Sequence, residues 1–399
     1  MEQNIRIDRL EMDRFEEGME LAQFAFQFVR SPQELEEIRK RTEDEPSDRW
    51  AVFVEDRLAA QAVVLELETY IAGKAFAMGG VAAVATWPEY RRQGFVGKLL
   101  VHALAEMNKK GQTLSFLHPF AFGFYQKFGW APYTENKLYT LMPQQLPPRT
   151  ASPGRIERVI GYDSLYEPYE TFAARYNGTL KRTEKWWNYR INVQKPAKIA
   201  AYRDSQDIVQ GYIIYEVSKK ELKVDELVYL NEEARTALWT FIAQHDSMVE
   251  KVTLTAPIDD TLIDHLPDPR IKQEVVPYFM ARIVDVKGFL EQYPFLPQDE
   301  ATEFAVQVAD EHAPWNNQTF RVKIPSSGQA SVTANELDTG GFGENSILRT
   351  DIGALTMLML SYRSGVQLSG SKRIQGDPET INRLQARIPE RTTYLPDFF

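Results

Sequence analysis

The sequence predicts a mixed α+β protein of three domains. At 399 residues the chain is too long for one ordinary hydrophobic core. Segments that alternate polar and apolar residues are interleaved with segments of helical apolar spacing from end to end. The order strand–strand–strand–helix–strand occurs twice at a coarse level, after which the pattern changes.

Taken in order, Ile5 and Ile7 alternate with polar residues and predict a first strand. Met12, Phe15, Met19 and Ala22 fall on one face of a helix over 11–26, and Ser31-Pro32 starts a second, acidic early and basic late. Strands over 50–55 and 58–67 form a hairpin around Asp56-Arg57. The next strand, 76–84, contains Gly79-Gly80, which implies a bulge or the close approach of a ligand. A helix over 94–109 should bury Val96, Leu99, Leu100, Ala103, Leu104 and Met107, and Lys109-Lys110-Gly111 should stop it. A strand over 113–117, a short helix over 120–128 and a strand over 137–142 complete the first domain. The linker from Pro143 to Gly154 sets the first boundary, giving domains over 1–148, 149–284 and 285–399. The second holds strands over 199–203, 211–217, 223–229 and 251–256 and a helix over 232–245. The third holds a strand and a short helix over 286–293, strands near 304, 320 and 330, an apolar helix over 351–362 and a last helix over 378–386. Gly340-Gly341-Phe342-Gly343 lacks a strand–helix frame and reads as a loop. The apolar terminus Tyr394-Leu-Pro-Asp-Phe-Phe399 is expected to dock.

Composition narrows the chemistry. The chain has no cysteine, which excludes disulfides, zinc–thiolate sites and a cysteine nucleophile. A net charge of −10 argues against nucleic acid as a partner and suits a cationic substrate. No apolar run is long enough for a membrane span, and Met-Glu-Gln-Asn-Ile-Arg is neither a signal nor a transit peptide, so a cytoplasmic location without membrane attachment is expected. The five histidines are scattered, and no metal spacing occurs.

The most informative stretch is Val84-Ala-Thr-Trp-Pro-Glu-Tyr-Arg-Arg-Gln-Gly-Phe-Val-Gly97. A strand that feeds a helix through an Arg/Gly loop offers free N–H groups at the positive end of a helix dipole, a phosphate site. The equivalent stretch of the second copy, Tyr229 to Arg235, has no glycine and two acids, so one such site per chain is expected.

With Phe122-Gly-Phe-Tyr125-Gln-Lys-Phe-Gly129-Trp and the terminal Phe, this stretch resembles the GCN5-related N-acetyltransferase (GNAT) superfamily, in particular its Eis-like (enhanced intracellular survival) branch. The loop Arg91-Arg92-Gln93-Gly94-Phe95-Val96 departs from the superfamily signature at Val96, with Gly97 one place later. The resemblance implies tandem GNAT folds followed by a sterol-carrier-protein-like α+β domain, and a homo-oligomer, a hexamer. It implies acetyl-CoA as co-substrate, without a metal, held by Val84, Ala85, Thr86, the loop from Arg91 through Gly97, and Phe120 and Ala121. It makes Tyr125 the general acid and the terminal carboxylate of Phe399 the general base, with Phe24, Phe26 and Phe28 as a wall of the acceptor pocket. His118 and Trp186-Trp187 fit structural roles better. The activity implied is direct acetyl transfer to a primary amine in a ternary complex. Aminoglycosides, polyamines, lysine side chains and small metabolites all remain open as acceptors. The alternatives are a non-catalytic acyl-CoA or lipid-binding protein working through the C-terminal domain, and a protein–protein scaffold without CoA affinity.

Overall fold

The computed structural model describes residues 4–194, 197–335 and 347–399. Gly340-Gly341-Phe342-Gly343 lies outside them.

The first seven-stranded sheet begins with β1 (Ile5–Arg9), β2 (Ser47–Val54), β3 (Arg57–Ile71), β4 (Lys74–Thr86) and β5 (Leu114–Leu117). Tight two-residue turns join β2 to β3 and β3 to β4. Glu55-Asp56 and Ala72-Gly73 all take positive φ, the backbone twist that suits a hairpin. Helices α1 (Phe15–Phe26), α2 (Pro32–Asp44) and α3 (Phe95–Lys109) pack around it, and α4 (Phe122–Gln126) follows β5. Ser31 and Glu34 form a reciprocal capping box on α2, worth about 1 kcal/mol. In α1 the buried face is Phe15, Gly18, Leu21 and Ala22, rotated from the expected stripe because Gly18 sits against the Leu10 side chain. In α3, Phe95 and not Val96 begins the buried stripe.

Two short strands, β6 (Ala131–Pro132) and β7 (Glu135–Leu141), close the first repeat. The second repeat follows with β8 (Arg155–Val159), α5 (Tyr166–Ala173), α6 (Glu184–Trp186), a π-turn over Trp187–Ile191, α7 (Asn192–Gln194), β9 (Lys198–Arg203), β10 (Val209–Ser218), β11 (Glu221–Tyr229), α8 (Glu232–Ala243), β12 (Lys251–Ala256), β13 (Lys272–Pro277) and β14 (Met280–Ile283). Its turn between β10 and β11, Lys219-Lys220, again has positive φ at both residues.

The two repeats exchange their last strands. The sheet orders are β1-β2-β3-β4-β5-β14-β6 and β13-β7-β12-β11-β10-β9-β8. Strand β14 inserts between β5 and β6, and β7 inserts at the matching place between β12 and β13. The strand expected to finish the first domain therefore belongs to the second sheet. The linker at 143–154 still separates the repeats along the chain, while the sheets themselves interlock.

The third unit has five strands in the order β17-β16-β15-β18-β19: β15 (Thr302–Ala309), β16 (Thr319–Ile324), β17 (Ser331–Asn335), β18 (Ile347–Asp351) and β19 (Ile374–Gln375). Its helices are α9 (Val286–Gln292), α10 (Ile352–Met359), α11 (Gly365–Gly370) and α12 (Pro378–Gln385). One hydrophobic core runs continuously from β3 and β4 through the second repeat into α10 and on to the terminus. Arg282 of β14 is wholly buried and ties the units together: its guanidinium donates to the Phe128 carbonyl and to Asp310 and lies beside the Trp130 ring. Among the described residues no helix is long and apolar enough to cross a membrane, and no cluster of potential metal ligands occurs.

Candidate active site

Strands β4 and β5 run parallel over four pairs, Met78↔Leu114 to Val81↔Leu117. There they part. A bulge opposite Gln61–Val63 puts Ala83 at φ +50°, and β4 continues to Thr86 held by β3 alone. Strand β5 stops, and Pro119, with no N–H, cannot extend it. The result is a wedge in the sheet with one wall made by 82–86. On that wall the Thr86 hydroxyl is buried without a partner among the described residues, a donor and acceptor free for a polar ligand.

The loop after the wedge delivers the chain to α3. Arg92 (φ +65°) and the N-cap Gly94 (φ +78°) are both left-handed, and no side chain caps the helix. The first helical hydrogen bond is Lys98 N–H to the Gly94 carbonyl, so the N–H groups before it point outward. A Cβ at Gly94 would meet nothing, so the glycine serves the backbone turn. Arg91 and Arg92 are exposed and make no ion pair among the described residues. An uncapped helix start, two free guanidinium groups and an unpartnered hydroxyl on the wall of the adjoining wedge fit a phosphate-bearing ligand with a polar arm.

The second repeat reproduces the wedge without the cradle. Strands β11 and β12 pair in parallel from Glu221↔Lys251 to Val224↔Leu254, and a bulge at Asp225 follows. Only Leu230 and Asn231 separate β11 from α8, whose N-terminus is capped by Asn231 and flanked by Glu232 and Glu233. That start is occupied and negative.

Several expected site residues converge on one cluster. Phe95, Leu117 and Tyr125 are buried together, with Val84, Val96, Phe122, Phe124 and Phe128 packed against them. The Phe95 ring lies in this core. Gly97 is required by packing, since a Cβ there would come within 2.9 Å of the Phe128 ring. Tyr125 is 2% exposed beneath Phe120 and Phe124, each 5.2 Å away between ring centres, and its hydroxyl makes no hydrogen bond among the described residues. Burial raises its pKa well above the ordinary tyrosine value, so it is protonated at neutral pH. Phe120 is exposed, and Ala121 is the exposed N-cap of α4 without a side-chain bond. Phe24 and Phe26 are about half exposed rather than core, and Phe24 lies 5.0 Å from Trp87 at the loop.

Phe399 reaches the same strands from the opposite face of the sheet. Its ring fills the space over Gly80, where a Cβ would come within 2.8 Å, and packs 4.9 Å from Phe279 and 6.2 Å from Trp186. Gly79 is likewise covered by Met107 of α3. The paired glycines thus admit the protein's own side chains, and the bulge lies further along, at Ala83. His118, directly after β5, stands among Tyr278, Phe279 and Phe398, whose bulk holds its pKa below the usual histidine value. A cavity of about 610 Å³ opens beside β3, where residues 178–181 pair with the strand beyond the end of β2; it is bounded by Leu67 and Trp186, which also adjoin Phe399, by Glu45, Glu66, Glu68 and Glu184, and by Lys110, Lys181 and Lys185. Of these four carboxylates, Glu184 makes no ion pair among the described residues, whereas the others pair with Arg190, Lys110 and Lys181.

The residues that hold the terminus were not foreseen. Asp397 accepts from Arg182 Nε at 2.9 Å and from Trp186 Nε1 at 2.9 Å. The only sequence signal was a lone acid inside an apolar tail.

Residues 6–133 and 178–283 match acetyltransferase (GNAT) domain families, and residues 286–396 match a sterol carrier protein domain family. An uncharacterized N-acetyltransferase of Streptomyces griseus is 24% identical over 251 residues, 56% of this chain, which spans only 60% of that relative. N-acetyltransferase Eis of Mycobacterium tuberculosis is 23% identical over 358 residues, 84% of this chain and 85% of its own. Among solved structures, a conserved protein of unknown function from Enterococcus faecalis V583 superimposes with a TM-score of 0.92 at 28% identity, covering 100% of both chains. Eis1 from Mycobacterium abscessus superimposes at 0.80 with 19% identity, over 99% of this chain and 100% of its own.

Proposed function

We propose, for a chain that belongs to the GNAT N-acetyltransferase superfamily with the Eis-like order of two GNAT domains and a sterol carrier protein domain, that it transfers an acetyl group from acetyl-CoA directly to a primary amine in a ternary complex. The observation that carries this is the wedge between β4 and β5. The loop and α3 lie on one face of the sheet with Tyr125, and the Phe399 ring lies on the other; the cavity beside β3, walled by both acids and lysines, reaches Phe399 through Leu67 and Trp186. Elsewhere the sheet separates the two sides; at the wedge, donor and acceptor can meet.

In this reading the N–H groups of Arg92 through Gly97 and the two arginines hold the pyrophosphate. Val84 to Thr86 line the pantetheine arm, and a strand N–H near Val84 polarises the thioester carbonyl. The cavity receives the amine as its ammonium, with Glu184 the free carboxylate. Tyr125 donates to the departing sulfur. The Phe399 carboxylate orients the amine or takes its proton through water, because a free α-carboxyl, with an ordinary pKa of about 3.5, is a weak base for direct abstraction. The hexameric assembly and cytoplasmic location implied by the resemblance belong to the same reading; light scattering on the purified protein measures the first.

Incubation of the protein with acetyl-CoA and a panel of amines tests the reading. CoA release that depends on amine supports it; saturable acetyl-CoA binding without release would point instead to an acyl-CoA binder. Reversing Arg91 and Arg92 together to glutamate should raise the KM for acetyl-CoA about tenfold or more. The gap should narrow at high salt, since these are exposed, screened charges.

A further inference from the structure

The second repeat has kept the wedge of its fold and lost the phosphate cradle, and its wedge is not idle. A groove of about 420 Å³ is bounded by Val224 and Asp225 of β11, Thr255 of β12, and Tyr394 to Pro396 of the C-terminal tail. Leu395 is wholly buried and Asp397 is 1% exposed. Deeper in, Arg182 has no exposed side-chain surface and lies 3.8 Å from the Tyr169 ring centre and 4.5 Å from that of Trp187. Its guanidinium joins two carboxylates: Asp397 of the tail, and Glu226 of β11 at 2.9 and 2.6 Å. Tyr212 donates to Glu226 at 2.5 Å, Trp186 to Asp397 at 2.9 Å, and the Tyr278 hydroxyl to the Asp397 carbonyl at 3.0 Å. Two carboxylates and one guanidinium buried together are tolerable only because every charge is hydrogen-bonded, and such a set holds one geometry.

We propose that the degenerate GNAT repeat is a clamp for the tail, and that Asp397, gripped by Arg182 and Trp186, is a positioning residue that sets Phe398 and Phe399 against His118 and Gly80. The effect is short-range. Asp397 is two residues from Phe399, and Trp186 both donates to Asp397 and packs on the Phe399 ring. The wedge that takes the acyl donor in the first repeat takes the chain's own tail in the second. The catalytic part of this inference rests on the function proposed above; the clamp itself does not.

The test is Asp397→Asn, which keeps the side chain's shape and removes its charge. Two quantities are read on the full-length protein: steady-state kinetics with acetyl-CoA and an accepted amine, and deuterium uptake by peptides covering 392–399. The expected result is faster exchange in the tail, a kcat lowered about tenfold or more and an unchanged KM for acetyl-CoA, a split that general destabilisation would not give. Tyr278→Phe, which removes one hydroxyl and leaves the ion cluster intact, serves as the second variant should the first not fold; it should show the same changes to a smaller degree. Wild-type exchange in the tail would overturn the proposal, as would faster exchange with unchanged kcat. A wild-type protein that releases no CoA with any amine would overturn the acetyltransferase reading alone, while the exchange data would still decide the clamp.

Discussion

Replacing Tyr125 with Phe is expected to lower kcat about 100-fold while leaving the affinity for acetyl-CoA unchanged. The substitution removes one oxygen from a ring already packed by Phe120, Phe124 and Trp130 and breaks no hydrogen bond among the described residues, so the fold should hold. Burial raises the pKa of the hydroxyl, which refines its role. Even at the ordinary tyrosine value of about 10, full proton transfer to a thiolate of pKa about 8.5 is uphill by about 2 kcal/mol, and burial makes it steeper. The hydroxyl therefore works chiefly as a fixed donor to the developing charge on sulfur, a hydrogen bond stronger in the transition state than before it. Steady-state kinetics alongside equilibrium acetyl-CoA binding provides the check, and unchanged turnover would remove Tyr125 from the mechanism.

One alanine added after Phe399 is expected to have a comparable effect, a kcat at least 100-fold lower with the fold retained. Phe399 is 7% exposed, and its ring is fixed over Gly80 against Phe279. While the ring stays there, each added residue moves the terminal carboxylate by about 3.8 Å, beyond hydrogen-bond reach of an amine placed for attack. Full activity of the extended chain would show that the terminus contributes packing alone.

Local physics made much of this protein legible in its sequence. Period-two and helical spacing located most strands and helices, Ser31-Pro32 announced the start of α2, and the Arg/Gly loop marked the free helix start at Gly94. What escaped was non-local. A strand's sequence does not name its partners, so β7 and β14 read as ordinary strands and their exchange was invisible. Gly79-Gly80 implied a bulge or the approach of a ligand, and the structure has neither there; the space is taken by Met107 and Phe399, 28 and 319 residues further on, which sequence cannot name. Asp397 looked like a stray acid because its partners Arg182 and Trp186 are 215 and 211 residues away.

The exchange of β7 and β14 also governs how the protein is made. Residues 280–283 stand inside the first sheet, so nascent chain emerging from the ribosome cannot finish that sheet until more than two thirds of the polypeptide has been synthesised. Until then the edge of β5 is open, a surface on which a stray strand could pair and a natural place for a chaperone to bind. The same topology suggests that a gene split within the linker, with both halves translated in one cell, would yield fragments that each need the other's strand, and so assemble as a pair instead of folding as separate acetyltransferase domains.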